Sequence, residues 1–470
     1  MIYLKKFSFL LLTIVLSLIF IFQFPYISNS KTDVPDRLRD ASGLSSCTFY
    51  KWFDPNTNDK EGKLLLKNCS SCHMAYYNEW TGDKHSMSQT NPFFLEIYKQ
   101  FKQDHPDKNG NCALCHNPEA ALDSSFDVDV RKKSNGISCD FCHKIESVDQ
   151  NPLKQGVAGL KIVRPCKGFP DIRFGPLKDP VQPGKAEELR YNSLYKTSLS
   201  CAKCHDGSNG NVQIYSTFTE WLNSPAAKKG VQCQSCHMAP RKDTNTIVDN
   251  PDVKHKERPY YQIHSHSFLT EDPSAFRKKY VDLIVETRRR RVSTLHNDIL
   301  IVKTIVENNN FGHSFPTGSP MRNAILLIEA KDKNGKELKL IKGERLPSYA
   351  GNLKNKPGKL FAKILAETNN EYAAGHGKAG IIFRKIANEL GIPAQDWWNV
   401  FVLNDSRIKP NGNDISVYEF AVEAGLNPAS TGNIKITAKL IWRNTWPGLA
   451  KIKGFKLKED LLVEKTIEIN

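Results

Sequence analysis

Hydrophobic positions follow three different regimes along this chain. Near the start, Lys5 and Lys6 precede an apolar run from Phe7 to about Phe24, with Ser28, Asn29 and Ser30 behind it. That is the order of a secretory n-region and h-region. Its length lies between that of a signal peptide and that of a membrane span. Residues 1–30 are therefore expected to be a signal peptide or an N-terminal membrane anchor, with residues 7–24 as the part that would associate with the inner membrane. Residues 31–60 are polar, contain Asp, Asn, Pro and Ser, and read as a tether.

The second half has the period of strands. Ile434, Ile436, Ala438, Leu440 and Trp442 alternate with Lys435, Thr437 and Lys439, as on a half-buried strand. Asp298–Val306 and Asn323–Ala330 are apolar and β-branched, and Ile415–Val422 and Leu461–Ile469 add further strands. Asp332-Lys333-Asn334-Gly335 predicts a turn joining the second run to Lys336–Ile341 as a hairpin. One helix is expected within Ala379–Leu390, stopped at Gly391 and Pro393. Residues 276–470 thus read as a β-sandwich-like domain with one helical insertion.

Between these lies a stretch, residues 61–275, with few long periodic segments. Short helices are expected there, and 150–195, rich in Pro, Gly and charge, reads as a long surface excursion. What fills such a region is indicated by its cysteines. Cys69-Ser-Ser-Cys72-His73, Cys112-Ala-Leu-Cys115-His116, Cys139-Asp-Phe-Cys142-His143, Cys201-Ala-Lys-Cys204-His205 and Cys233-Gln-Ser-Cys236-His237 use ten of the twelve cysteines. Each is a c-type haem attachment motif. Two thiols form thioethers, and the adjacent His is placed as proximal iron ligand. Zinc pairs or redox dithiols would not need a His after every pair. Five covalently bound haem c groups would also supply apolar core that side chains do not. The fold class is therefore α+β: a mostly helical or irregular pentahaem cytochrome domain over 61–275, then the β-rich domain over 276–470.

The haems change the meaning of the charge. The formal net charge is +16, which alone would suggest an anionic partner. Propionates bring the holoprotein, less its leader, to about +9 oxidised or about +4 reduced by charge counting. No nucleic-acid partner is expected. Haem attachment takes place on exported chains, so the expected location is periplasmic or otherwise extracytoplasmic. Cys47 and Cys166 are left over, and a disulfide between them suits that compartment.

What binds the far side of each iron decides between carrier and enzyme. After five proximal His, eight remain: His85, His105, His255, His264, His266, His296, His313 and His376. His85, His105, His266 and His313 are the expected distal ligands, with His264 and His296 as further candidates. Met87 and Met321 are lesser alternatives. Arg288–Arg291 read as a solvated helix end or as partners of haem propionates. A weak internal repeat relates Glu79-Trp80 to Glu220-Trp221, with His85 in the first copy aligned to Ala226 in the second.

At these residues the chain resembles multihaem cytochromes of the c-552/c-554 type, within the wider group that includes hydroxylamine oxidoreductase. The resemblance rests on Cys69–Met74 with Glu79-Trp80 and His85, and on Glu220-Trp221 with Gly230–Met238. The second half resembles a domain that often follows such modules. Its marks are Asn308, Gly312-His313-Ser314-Phe315-Pro316-Thr317-Gly318, Arg322 and Asp405–Pro410. The resemblance implies closely stacked haems, mostly bis-His, passing single electrons between redox partner proteins that it does not name. No Cys-x-x-Cys-Lys occurs, so the lysine-ligated haem of pentahaem nitrite reductases has no counterpart. The function expected is single-electron transfer without a catalytic residue. The alternative is an oxidoreductase with one open haem acting on a small nitrogen or sulfur oxyanion.

Overall fold

Each Cys-x-x-Cys-His segment folds as one short helical turn: Cys69–Cys72, Ala113–His116, Cys139–Cys142, Leu199–His205 and Cys233–His237. Residues three apart share a helix face, so a turn presents both thiols on one side and the His one step further round. The first three turns are closed by the His amide donating to the first Cys carbonyl, at 2.8 Å for His73, 3.0 Å for His116 and 3.0 Å for His143. This computed structural model describes residues 69–107, 110–122, 136–164, 169–185, 187–209, 212–268, 272–291, 298–309, 311–367, 400–422 and 433–469. Cys47, Cys166, His296, His376, the leader and the helix expected over 379–390 lie outside the described residues.

Two further helices, Met74–Thr81 and Pro92–Asp104, frame the first two motifs. The second starts at Asn91, whose side chain accepts from the amides of Phe93 and Phe94, with Pro92 in the first turn. It carries Tyr98 into a core with Phe141, Ile145, Leu160 and Ile162 around the second and third motifs.

The stretch 150–195 is not a surface excursion. It holds β2 (Leu160–Ile162), paired with β1 (Ile145–Val148), and the parallel pair β3 (Asp171–Gly175) and β4 (Glu187–Tyr191). Val157, Leu160, Ile162, Ile172 and Phe174 are buried. The segment is polar in composition and Leu153 is exposed, but Val157, Leu160, Ile162 and Leu194 join the core formed with Ala113 and Phe141 of the second and third motif turns. A short hairpin of β5 (Asp206–Asn209) and β6 (Val212–Ser216) follows the fourth motif.

The second half is a sandwich of two four-stranded antiparallel sheets. One has the order β10 (Lys339–Lys342), β14 (Asn413–Val422), β8 (Asp298–Asn308), β7 (Val281–Arg290). The other has β11 (Gly358–Phe361), β9 (Asn323–Lys331), β15 (Ile434–Arg443), β16 (Glu459–Ile469). β8 buries every second residue, and Leu300, Val302 and Val306 meet Leu326, Ile328, Ala438 and Leu440 between the sheets. A third pair, β12 (Lys363–Glu367) with β13 (Val400–Asp405), stands apart from both sheets.

Two expectations are corrected here. Asp332–Gly335 does form a turn, with Gly335 donating to the Asp332 carbonyl at 3.0 Å. The chain beyond it does not stay beside β9: after a single bridge, Lys331 to Glu337, it crosses to the other sheet and pairs with β14 as β10. The arginine run is not a helix end. Arg288, Arg289 and Arg290 lie on the outer strand β7, and Arg289 is held by Asp298 at 2.9 Å.

Candidate functional site

Three of the five motif histidines face a second imidazole. Ring centres are 6.4 Å apart for His143 and His266, 6.5 Å for His237 and His313, and 6.1 Å for His205 and His85. A metal bound by two imidazoles at about 2 Å per bond separates the ring centres by roughly 6.3 Å. The ring planes differ by 24° and 22° in the first two pairs and by 74° in the third. Among the described residues, His73 and His116 have no such counterpart; the His116 ring instead stacks on Phe94 at 3.9 Å.

The tautomers suit the same role. Nδ1 of His73 donates to the Ile247 carbonyl at 2.5 Å, His116 to Ser88 at 2.8 Å, His143 to Phe174 at 2.7 Å and His237 to Phe268 at 3.0 Å. On the facing rings, His266 Nδ1 donates to the His264 carbonyl at 3.0 Å, His313 to Ser314 at 3.1 Å, and His85 to the Asp83 carboxylate at 2.8 Å. Carbonyls and carboxylates only accept, so Nδ1 carries the proton and Nε2 keeps its lone pair for metal. Burial, followed by the facing imidazole, pushes His205 down to about 3, His266 to about 3 and His313 to about 4. Burial likewise lowers His116, His143 and His237. All six are neutral at physiological pH, the form that binds metal.

The motif cysteines are also brought together. Cys69 lies close to Cys139, Cys201 to Cys233, and Cys204 to Cys115. Cys142 lies close to Cys204 as well. The attachment sulfurs therefore run from the first motif through the third and fourth to the fifth, with the second beside the fourth.

The charges nearby fit a porphyrin carrying carboxylates. Arg322 lies near His205 and His313. Its guanidinium donates to the Thr317 carbonyl at 3.1 Å and has no carboxylate partner among the described residues, while of the carboxylates neighbouring Lys84 feels only the adjacent Asp83. Arg277, close to both, is answered by Asp460. Propionates would supply the missing negative charge, and these residues, rather than the β7 arginines, stand beside the paired histidines.

His105 ends the helix Pro92–Asp104 with its ring 5.1 Å from Phe101. His264 binds the Met238 carbonyl through Nδ1 at 2.7 Å and bridges to Pro240. His255 is exposed. Met321 is buried in the core with Ile325 and Trp446, and Met87 is exposed.

Residues outside the expected ligand set hold the segments that carry the facing rings. Asn308, buried on β8, donates to the carbonyls of His313 and Ile408, both at 3.0 Å. Phe315 and Ile408 pair backbone to backbone at 2.8 and 2.9 Å. Glu220 accepts from the Ser314 amide at 3.1 Å and the Thr317 hydroxyl at 2.6 Å. In the sequence Glu220 showed only through the repeated Glu-Trp dipeptide, and Asn308, Phe315 and Ile408 only as marks of the resemblance of the second half.

Residues 68–144 and 178–238 match the family described as cytochrome c554 and c-prime. A pentahaem cytochrome c552 from Thermochromatium tepidum has a similar fold, with a TM-score of 0.58 at 19% identity. The similarity covers 85% of this chain and 97% of that one. The CooA pilin subunit of enterotoxigenic Escherichia coli aligns over 41% of this chain and 99% of its own at 11% identity, and its TM-score of 0.16 carries no argument. No curated protein matches the sequence.

Proposed function

We propose that this chain is a multihaem c-type cytochrome, as the match to that family over residues 68–144 and 178–238 supports, and that it is a periplasmic carrier of five haems whose irons are mostly held by two histidines. The bound haems supply one-electron exchange between ferric and ferrous iron. The protein attaches them through Cys69 and Cys72, Cys112 and Cys115, Cys139 and Cys142, Cys201 and Cys204, and Cys233 and Cys236. His73, His116, His143, His205 and His237 are the proximal ligands. His266, His313 and His85 are the distal partners of His143, His237 and His205, and the separation of those rings is the observation that carries the reading. His105 and His264 remain candidates for the other two irons. The contacts between motif sulfurs support close spacing of the five groups. Export follows from haem attachment outside the cytoplasm. No helix among the described residues is long and apolar enough to cross a membrane.

One observation favours a second reading. His73 and His116 lack a facing imidazole among the described residues, which would suit a haem with an open position and turnover of a small nitrogen or sulfur oxyanion. Low-temperature EPR of the ferric protein, with haem measured on the same sample, separates the two. Low-spin signals accounting for five haems support the carrier. A high-spin signal near one haem per chain supports the enzyme, and nitrite, hydroxylamine and sulfur oxyanions would then be screened for turnover.

A further inference from the structure

The repeated Glu-Trp dipeptide recurs in space as well as in sequence. In the first copy Glu79 accepts from the backbone amide of His266 at 2.6 Å. In the second, Glu220 accepts from the amide of Ser314, the residue after His313, at 3.1 Å. Each carboxylate faces an arginine: Arg241 at 3.8 Å from Glu79, and Arg407 at 2.6 Å from Glu220. Each arginine is in turn gripped by an aspartate two residues away. Arg241 donates to Asp243 at 3.2 and 2.7 Å, and Arg407 to Asp405 at 2.7 and 2.8 Å. The tryptophans act alike: Trp80 donates to the Ile137 carbonyl at 2.8 Å and Trp221 to the Val231 carbonyl at 2.9 Å.

The partners are distant in sequence, 187 residues for Glu79 and 94 for Glu220. Neither contact follows from the local turn. Both copies end on the segment that presents a facing imidazole, and those two imidazoles lie near-parallel to their motif histidines, at 24° and 22°. Among the described residues, His85 has no such carboxylate from afar. Its amide and its Nδ1 both bind Asp83, two residues before it, and its ring is turned 74° from His205. Two long-range clamps and two near-parallel pairs therefore go together, as do one local clamp and one crossed pair.

We propose that Glu79 and Glu220 are equivalent positioning residues, which fix the backbone of the distal-histidine segments and thereby set the imidazole plane at the third and fifth haems. This rests on the reading of His266 and His313 as iron ligands. A carboxylate bound to a backbone amide restrains the peptide plane from which the His side chain departs, and its arginine keeps the carboxylate from turning. The Trp contact anchors the start of each clamp.

Imidazole orientation has its own signature. Near-parallel planes give rhombic low-spin ferric signals, and crossed planes give signals with a large maximal g value. The experiment is EPR of the full holoprotein carrying Glu79→Ala, Glu220→Ala, Glu79→Gln or Glu220→Gln, with His266→Ala and His313→Ala as ligand controls. Each Ala variant is expected to move about one haem per chain out of the rhombic signal, while each Gln variant, which keeps an acceptor for the amide, retains it. Unchanged rhombic signals in both Glu→Ala proteins, alongside altered signals in the His→Ala controls, would overturn the clamp and leave the ligands standing. Unchanged spectra in the His→Ala proteins would remove the ligand reading itself. If Glu220→Ala does not assemble, Thr317→Val is read in its place. It removes the hydroxyl that donates to Glu220 and contacts Thr217, and a rhombic signal that does not broaden when Thr317→Val is combined with Arg407→Gln counts against the proposal.

Discussion

The side-chain amide of Asn308 donates to the backbone carbonyl of His313 at 3.0 Å. A fully buried residue of the sandwich thus holds the segment whose imidazole faces His237. The same amide reaches Ile408, so one side chain ties β8, the His313 loop and the segment after β13. Asn308→Ala takes this donor from the half-buried His313 carbonyl and from the buried Ile408 carbonyl, which keeps the Phe315 amide. It is expected to cost about 1–3 kcal/mol of stability, read by chemical unfolding of the holoprotein, and to broaden the EPR signal of the His237–His313 pair. An unfolding curve that superimposes on the parent's would contradict the role.

Gly136 adopts φ +60°, and a Cβ there would lie 2.3 Å from the His85 carbonyl and 2.6 Å from that of Ser86. The His85 carbonyl also accepts from the Ile137 amide at 2.9 Å. Gly136→Ala therefore strains the backbone and pushes away the segment that carries His85, at a cost of roughly 1–3 kcal/mol or more. Thermal unfolding should fall, and the low-spin signal of the crossed pair should shift while the rhombic signals stay.

Arg322 is a cation beside His205 and His313 without a carboxylate partner among the described residues. A nearby positive charge favours the reduced iron, which carries one positive charge fewer. Arg322→Gln is expected to lower the potential of at least one haem by on the order of tens of millivolts. Spectroelectrochemical titration reads this directly, and identical potentials in parent and variant would place the guanidinium elsewhere in the energetics.

Asp179 is the surface carboxylate that ties 169–185 to 250–260. Lys256 and then Arg258 hold its carboxyl down to about 2, the latter through a contact of 2.9 Å. The folded value is depressed, so the contribution is fully present above the unfolded carboxylate range near pH 4 and is lost as pH falls through about 2. The group is exposed, so the effect should be small and should shrink with salt. Acid unfolding of Asp179→Asn should differ from the parent above pH 4 and converge with it near pH 2; a difference that persists below pH 2 would assign it to something other than this ionisation.

The helical turns of the Cys-x-x-Cys-His segments were legible because their pattern is local: two thiols and an imidazole within five residues. The sandwich strands were legible because one buried face imposes a period of two, seen in β8, β14 and β15. What was missed depends on distance. Lys336–Ile341 looked like the return arm of a hairpin because turn residues do not say which sheet the next strand joins. The stretch 150–195 looked like surface because its buried side chains, Val157, Leu160, Ile162 and Leu194 among them, find their partners in a core shared with the motif helices elsewhere in the chain. Arg288–Arg290 sit on a strand because their neighbours on β8 bury the other face. Glu79 and Glu220 could be seen as a repeat, yet their partners at His266 and Ser314 had no local trace.

The ring anchors divide the making of this protein into two timetables. The first three attachment turns are closed by bonds reaching four residues along the chain, so a nascent, unfolded stretch can present its thiols for covalent capture as it emerges. The carbonyls that orient the same rings come from 28 residues away for His116, 31 for His143 and His237, and 174 for His73. Maturation can therefore proceed motif by motif on a slack chain, whereas the first ring can be aimed only after the Ile247 region has been synthesised and has docked.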